Sequence, residues 1–195
     1  SVISSVGKLN SSVLNYLQKN TNLQIISHET KFPFTNLYAT PKTLGIDRMV
    51  VSAGAVLKYP NQNRLVIDAG TCITYDFIDE NNNYLGGAIS PGIKIRYKSL
   101  NNYTSNLPLL EKKNIELFIG NSTENSIHSG IINGICYEID GFISQYSLKN
   151  QDLTIILTGG DTDFLAKRLK STIFANSNFL LESLNILSIY LNEND

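Results

Sequence analysis

The chain has 195 residues, of which 42% are hydrophobic and 17% charged, and its formal net charge is -1. This length suits one large domain or two small ones with a sizeable core. The near-neutral charge without a Lys/Arg block argues against nucleic-acid and anionic-membrane binding, and no apolar run approaches the ~18 residues of a transmembrane helix. Two cysteines without metal-ligand spacing, Cys72 and Cys136, are typical of a reducing compartment, so we expect a cytoplasmic protein.

The first 60 residues alternate between strand and helix patterns. Apolar spacing predicts strands at 2–6 and 23–26 and helices at 8–19 and 42–58, the second of which ends at Pro60. Between them, residues 31–42 form an irregular aromatic segment that includes Tyr38, which suits the wall of a binding pocket better than a solvent loop.

The remaining residues predict a sheet with helices packed against it. A polar stretch at 59–64 suggests a boundary, which would leave residues 1–60 as part of an N-terminal lobe and residues 61–195 as a C-terminal lobe. Mixed hairpins and helices in series predict an α/β fold with a mixed sheet. The predicted strands are 65–68, 73–78, 84–89 and 153–158, with a hairpin turn at 79–83, and the predicted helices are 93–101, 122–147, 163–169 and 180–191.

The turn Asp68-Ala69-Gly70-Thr71 follows a buried strand pattern. It brings a carboxylate, free backbone N–H groups and a hydroxyl to one point, which suits phosphate and cations. An ordinary hairpin turn, in which Asp and Thr hydrogen-bond to the backbone, explains the same residues equally well. Thr74, in the hairpin that follows, favours the phosphate interpretation because it adds a second hydroxyl.

Asp47 and Arg48 lie in the first turns of the predicted helix 42–58. They could be a catalytic base and an anion-binding guanidinium, because Arg can hold a carboxylate through two parallel hydrogen bonds. Helix capping explains Asp47 without any chemistry, since an acid in the first turn is favoured by the helix dipole. Arg48 is less favourable at that end and needs another reason to be there.

Two further corners have both a structural and a functional interpretation. Gly159-Gly160 stands between an apolar strand and a helix, which is a common location for a nucleotide as well as an ordinary turn. Ser122-Thr123 is first of all a helix start, and a substrate contact from Thr123 would be additional to it.

Together these motifs resemble, in order and spacing, those of the type III pantothenate kinases, a family also labelled Bvg accessory factors (Baf). The resemblance extends over roughly the whole chain, and the ordered set is more specific than any single motif. The residues that carry it are Tyr38-x-x-Pro41, Gly45-x-Asp47-Arg48, Asp68-x-Gly70-Thr71-x-x-Thr74, Leu85-Gly86-Gly87-x-Ile89-x-Pro91-Gly92, Leu107-Pro108, Gly120-x-Ser122-Thr123, Ser129-Gly130 and Thr158-Gly159-Gly160.

The resemblance implies ATP-dependent phosphorylation of pantothenate to 4'-phosphopantothenate, the first step toward coenzyme A. It also implies the fold of the acetate and sugar kinases, Hsp70 and actin, with two ribonuclease H-like lobes, and a homodimer that works with ATP, Mg²⁺ and a monovalent cation, K⁺ or NH₄⁺. Carried over by position, Asp47 is the general base and Asp68 the ligand of the monovalent cation. Thr71 is an ATP contact, and the pantothenate contacts are Tyr38, Gly45, Ile46, Asp47, Arg48 and Thr123.

The chain departs from the family's pattern in two places. The family opens with a strand and an Asp-x-Gly-Asn-Thr phosphate loop, whereas this sequence opens on a strand pattern found later in the first lobe. We therefore expect an incomplete first lobe, shortened by some fifty residues or more judged by the resemblance, and ATP turnover that depends on the phosphate loop. Ser122 stands where the family usually has Asn. The competing functions are a transcription-associated accessory protein and another small-molecule kinase of the same superfamily.

Overall fold

A computed structural model describes residues 1–4, 10–150 and 152–194. The N-terminal part contains three short strands and two helices, and a 3₁₀ turn at Pro41–Thr43 precedes the second helix. That helix therefore begins later than predicted, because Pro41 starts the tighter turn and Gly45 caps the helix. The predicted strand 2–6 and helix 8–19 lie partly outside the described residues. The elements are β1 (Val2–Ser4), α1 (Ser11–Asn20), β2 (Gln24–Ile26), β3 (Thr35–Asn36) and α2 (Ile46–Lys58).

The second part follows the predicted order of strands and helices. The hairpin at 79–83 is confirmed, whereas the helix predicted at 163–169 ends at Ala166, three residues earlier than predicted. The two-residue strands Thr35–Asn36 and Phe174–Ala175 were not predicted from the sequence. The elements are β4 (Asn63–Ala69), β5 (Cys72–Ile78), β6 (Asn83–Pro91), α3 (Ile93–Asn102), α4 (Thr123–Lys149), β7 (Leu153–Thr158), α5 (Thr162–Ala166), β8 (Phe174–Ala175) and α6 (Phe179–Glu193).

Six strands form one mixed sheet in the order β3-β6-β5-β4-β7-β8, and β1 and β2 pair separately in parallel. Strand β5 runs antiparallel to β4 and β6, whereas β4 and β7 are parallel. The predicted α/β fold with a mixed sheet is therefore confirmed. Strands β4, β6 and β7 all end at the same edge of this sheet, and β5 begins there.

Side chains alternate between the two faces of the sheet along each strand, and a hydrophobic core lies on each face. One face packs against α3, α4 and α5, and the isoleucines that recur along α4 lie in this core. The other face packs against α2 and α6, with Val66 and Ile156 beneath them. These two helices approach closely, since a Cβ added at Gly54 would lie 1.9 Å from the Ser183 hydroxyl oxygen. The buried isoleucines of α4 are Ile127, Ile131, Ile132, Ile135, Ile139 and Ile143.

Helix α2 shares its core with the sheet that follows it in the chain. The lobe boundary near residue 60 stays a prediction. Within residues 1–4, 10–150 and 152–194, none of the helices is long and apolar enough to cross a membrane.

Candidate active site

Asp68 lies near the end of β4, at the edge where β4, β6 and β7 finish. The sheet register pairs it with Thr74 of β5 on one side and with Thr158 of β7 on the other. All three side chains point to the face covered by α2, because register partners share a face of the sheet. The Thr158 hydroxyl is buried without a hydrogen-bond partner in the part of the chain that the structure describes. This row therefore offers a carboxylate flanked by two hydroxyls.

Three backbone turns meet beside this row. The Gly92 N–H donates to the Thr71 carbonyl at 3.1 Å, and the Asp161 N–H donates to the Ala69 carbonyl at 2.9 Å. Gly92 must be glycine here, since a Cβ would lie 2.3 Å from the Gly70 carbonyl oxygen. The turn after β4 is thus attached to the corners after β6 and β7, and the Thr71 side chain is left exposed on it.

The N-terminus of α2 supplies Asp47 and Arg48. Gly45 caps this helix, and the Asp47 Oδ1 atom accepts a hydrogen bond from the Arg48 backbone N–H at 2.8 Å. A side chain at Gly45 would lie 2.4 Å from that same oxygen, so glycine makes room for the carboxylate. Asp47 remains half-buried, whereas the Ile46 side chain is part of the core.

Arg48 is committed to a buried ion pair with Asp76 of β5. Its Nε and Nη2 atoms lie 2.8 and 2.7 Å from Asp76 Oδ1. The Tyr84 hydroxyl donates to the same oxygen at 2.6 Å, and the Thr74 hydroxyl donates to Oδ2 at 3.0 Å. The ion pair explains why a cation stands at the positive end of a helix dipole, where it is otherwise unfavourable.

Tyr38 completes this side of the site. Its ring packs edge-on against the Tyr84 ring, and the Arg48 guanidinium carbon lies 5.9 Å from its centroid. Gly86 has a φ of 100°, and a Cβ there would lie 3.0 Å from the Tyr38 ring. The irregular segment is therefore folded against β6, and it brings Tyr38 beside Arg48.

The ionisation of Asp68 on β4 depends on carboxylates of both α2 and β5. Burial and the neighbouring Asp47 and Asp76 carboxylates raise the pKa of Asp68 to about 6. Two carboxylates thus lie within electrostatic range of Asp68, and Arg48 pairs its guanidinium with Asp76. A site with this excess of negative charge favours cations and disfavours an unaccompanied anion.

Thr123 is not brought to this group of residues. It is exposed at the first position of α4, next to the cap Ser122, whose hydroxyl accepts the Asn125 N–H at 3.2 Å. Helix α4 covers the face of the sheet opposite to α2. No contact among the described residues connects Thr123 with Asp47 or Arg48.

A cavity of about 480 Å³ lies beside α5. Arg168 stacks 4.0 Å from the centroid of the Phe164 ring, and Lys112 forms an ion pair with Asp161. The cavity walls combine an aromatic ring with charges of both signs. Its lining residues are Asn114, Ile115, Glu116, Asp163, Phe164, Lys167 and Arg168.

Sequence reasoning missed Asp76, Tyr84 and Thr158 as part of this constellation. A signal for Asp76 was available, because it is two residues after Thr74 on a strand and so shares the face of Asp68. Its pairing with Arg48, 28 residues away in the chain, was not visible in the sequence.

Comparisons with known proteins point to one family. The family model of the type III pantothenate kinases matches residues 1–145. The type III pantothenate kinase of Flavobacterium johnsoniae is 60% identical over 194 residues, covering 100% of this chain and 80% of the relative. That of Phocaeicola vulgatus is 42% identical, covering 97% of this chain and 78% of the relative. A Campylobacter jejuni crystal structure, named for the Baf family of transcriptional activators, superposes with a TM-score of 0.63 at 26% identity, over 96% of this chain and 81% of that one.

Proposed function

Since this chain belongs to the type III pantothenate kinase family and phosphorylates pantothenate with ATP, we propose that the reaction takes place at the edge defined by Asp47 and Asp68. The observation that carries this proposal is that α2 brings Asp47 within electrostatic range of Asp68, beside the turn that ends in Thr71. A base and a phosphate-binding turn at one edge are what phosphoryl transfer to an alcohol requires.

Asp47 is the general base of the proposed mechanism. The pantothenate hydroxyl oxygen attacks the γ-phosphorus, the bond to the β–γ bridging oxygen breaks, and the hydroxyl proton passes to the Asp47 carboxylate. ADP leaves with the bridging oxygen. The Arg48 backbone N–H donates to Asp47 Oδ1, and the missing side chain at Gly45 leaves room for that oxygen. The carboxylate is therefore held in one orientation before it accepts the proton. A base of this kind is worth ~10²–10⁴-fold in rate.

Pantothenate lies against Tyr38 and the first turn of α2 in this proposal. The Tyr38 ring supplies an apolar wall, and the Arg48 guanidinium lies beside it with its charge paired to Asp76. Gly45 and Ile46 contribute through their backbone, because Gly45 has no side chain and the Ile46 side chain is in the core.

ATP approaches from the turns at the end of β4 and β7. Thr71 is exposed on the first turn and can donate its hydroxyl to a phosphate oxygen. The cavity beside α5 has the aromatic and polar walls that a nucleobase needs. As in kinases generally, a divalent metal accompanies the phosphates of ATP.

The residues around Asp68 fit a monovalent cation. Such an ion is held by carboxylate, hydroxyl and carbonyl oxygens, and the unpartnered Thr158 hydroxyl beside Asp68 is an oxygen that lacks its hydrogen bond. Asp68 would hold K⁺ or NH₄⁺, with Thr158 as a neutral neighbour. The ion would supply positive charge between the carboxylates of the site and the incoming phosphates.

The proposed assembly is a homodimer in which Thr123 serves the second copy. In its own chain Thr123 lies on a helix across the sheet from α2, yet the resemblance assigns it to pantothenate. The segment before it exposes Leu117, Phe118 and Ile119, which are 50%, 69% and 79% accessible. Adjacent exposed apolar side chains are typical of an interface, and a second copy would cover them while receiving Thr123.

A transcription-associated role is the second candidate, and it rests on the Baf label of the Campylobacter jejuni structure. The net charge of -1 offers no electrostatic footprint for DNA. One experiment separates the candidates: the full-length protein is incubated with ATP and a panel of acceptor alcohols, and products are identified by mass spectrometry. Phosphopantothenate as the dominant product supports the kinase. Salt-sensitive DNA retardation without phosphorylation of any acceptor would support the accessory role, and another acceptor would indicate a different kinase.

A further inference from the structure

Asp76 is the most deeply buried carboxylate of the site and none of its surface is exposed. Arg48, Tyr84 and Thr74 together direct four donor atoms at it, two of them from the guanidinium. Burial raises the pKa of Asp76, but these hydrogen bonds favour its charged form, and Arg remains protonated at any accessible pH, so we treat the pair as ionic. Every polar atom of this carboxylate is therefore satisfied by neighbours that the fold holds in place.

Stability alone is a weak reason for such a pair. Taking two charges out of water costs about as much as their attraction returns, and apolar residues of similar volume often serve equally well. Neighbouring positions on the same face of the sheet hold apolar side chains such as Val66 and Ile156. The Arg48–Asp76 pair is therefore better explained by its effect on the orientation of neighbouring side chains than by a contribution to the stability of the fold.

Arg48 is fixed at two points. Its backbone N–H donates to Asp47, and its guanidinium donates to Asp76. Between these anchors it lies beside the Tyr38 ring. The Tyr84 hydroxyl, which donates to Asp76, belongs to the ring against which Tyr38 packs. Asp76 therefore connects the two substrate-side elements, the first turn of α2 and the Tyr38 segment.

We propose that Asp76 is a positioning residue for the pantothenate site, acting through Arg48 and Tyr84 to hold the guanidinium and the Tyr38 ring in one arrangement. This inference rests on the proposed function, because it assumes that Tyr38 and Arg48 face pantothenate. Asp76 is too deeply buried to touch substrate itself. Removing the Asp76 carboxylate therefore weakens pantothenate binding more than it slows phosphoryl transfer.

The test compares Asp76→Asn with Glu138→Gln in the full-length protein. Glu138 also pairs with an arginine, Arg96, but does so on the opposite face of the sheet. We expect Asp76→Asn to raise the KM for pantothenate roughly tenfold while the KM for ATP and kcat stay within about threefold, because misplaced binding groups weaken binding of that substrate. Glu138→Gln should leave both KM values unchanged. If both variants lose thermal stability equally and neither changes the pantothenate KM, Asp76 has only a structural role.

Two further variants keep the inference testable if Asp76→Asn does not fold. Tyr84→Phe removes one donor to Asp76 and leaves the ion pair in place, so it should raise the pantothenate KM by a smaller factor. Arg48→Lys combined with Asp76→Asn should raise the pantothenate KM by less than the product of the two single effects, because part of the effect of Asp76 passes through Arg48. Multiplying effects, or an unchanged KM in Tyr84→Phe, would overturn the inference. A parent enzyme that does not phosphorylate pantothenate would instead overturn the proposed function.

Discussion

Gly159 and Asp68 are in direct steric contact, since a Cβ at position 159 would lie 2.4 Å from Asp68 Oδ1 and 2.6 Å from the Ala69 carbonyl oxygen. Gly159 also has a φ of 95°, which L side chains rarely adopt. The corner after β7 is therefore shaped around the carboxylate at the end of β4. This contact relates a glycine that the sequence marked as a turn to the residue proposed to hold a cation.

We expect Gly159→Ala to lower the free energy of unfolding by about 1–3 kcal/mol, because it adds backbone strain and displaces Asp68. Gly160→Ala is the matched control, because nothing lies within 4 Å of a Cβ at that position. Its effect should remain within about 0.5 kcal/mol. Urea denaturation of both variants measures the difference, and equal stabilities would contradict the strained contact.

Potassium should stabilise the parent protein through Asp68. Any ligand that binds only the folded state raises the melting temperature, so KCl should raise it relative to NaCl at equal ionic strength. Asp68→Asn should abolish this difference, because the charged ligand is gone. Thr158→Val, which removes the unpartnered hydroxyl, should weaken it. The melting temperature is measured by thermal shift in the two salts. A parent protein with the same melting temperature in both would contradict a potassium site at Asp68.

The sequence predicted most elements because local patterns determine them. The isoleucines of α4 recur at helical spacing, and the hairpin between β5 and β6 has an acidic, Asn-rich turn. The strands Thr35–Asn36 and Phe174–Ala175 were missed because two residues carry no periodic signal, and only the neighbouring strands define them. The ion pair of Arg48 with Asp76 was missed for a related reason, since it joins a helix to a strand that only the tertiary fold brings together.

Tyr38→Ala should raise the KM for pantothenate at least roughly tenfold and leave that for ATP within about twofold, since the ring forms part of the acceptor side only. Tyr38→Phe keeps the ring against Tyr84 and Gly86 and should have a much smaller effect. Initial rates with each substrate varied in turn give both constants. Should Tyr38→Ala bind pantothenate as the parent does, Tyr38 is not part of the pocket.

Subunit mixing tests whether Thr123 acts in a second copy. Thr123→Arg and Asp47→Asn each leave a homodimer with two defective sites, and a mixed dimer regains one intact site if Thr123 reaches across the interface. Equal mixing after reversible dissociation should then restore about a quarter of the parent activity, because about half of the dimers are mixed and each has one intact site. If Thr123 serves its own chain, mixing restores nothing beyond the average of the two variants.

Asp47→Asn separates a first-turn acid from a catalytic base. Gly45 is the cap of α2, and the asparagine side-chain oxygen can still accept the Arg48 N–H, so the folded structure should survive with a loss of at most about 1 kcal/mol from the missing dipole interaction. A carboxamide cannot take up the hydroxyl proton, so kcat should fall roughly 10²-fold or more while the KM for ATP changes little. Glu182→Gln is the matched control, because Glu182 is an acid in the first turn of α6 and lies outside the proposed site. Steady-state kinetics of the full-length variants decides between the two roles: a folded Asp47→Asn protein with the parent kcat would leave Asp47 as a first-turn acid and require another base.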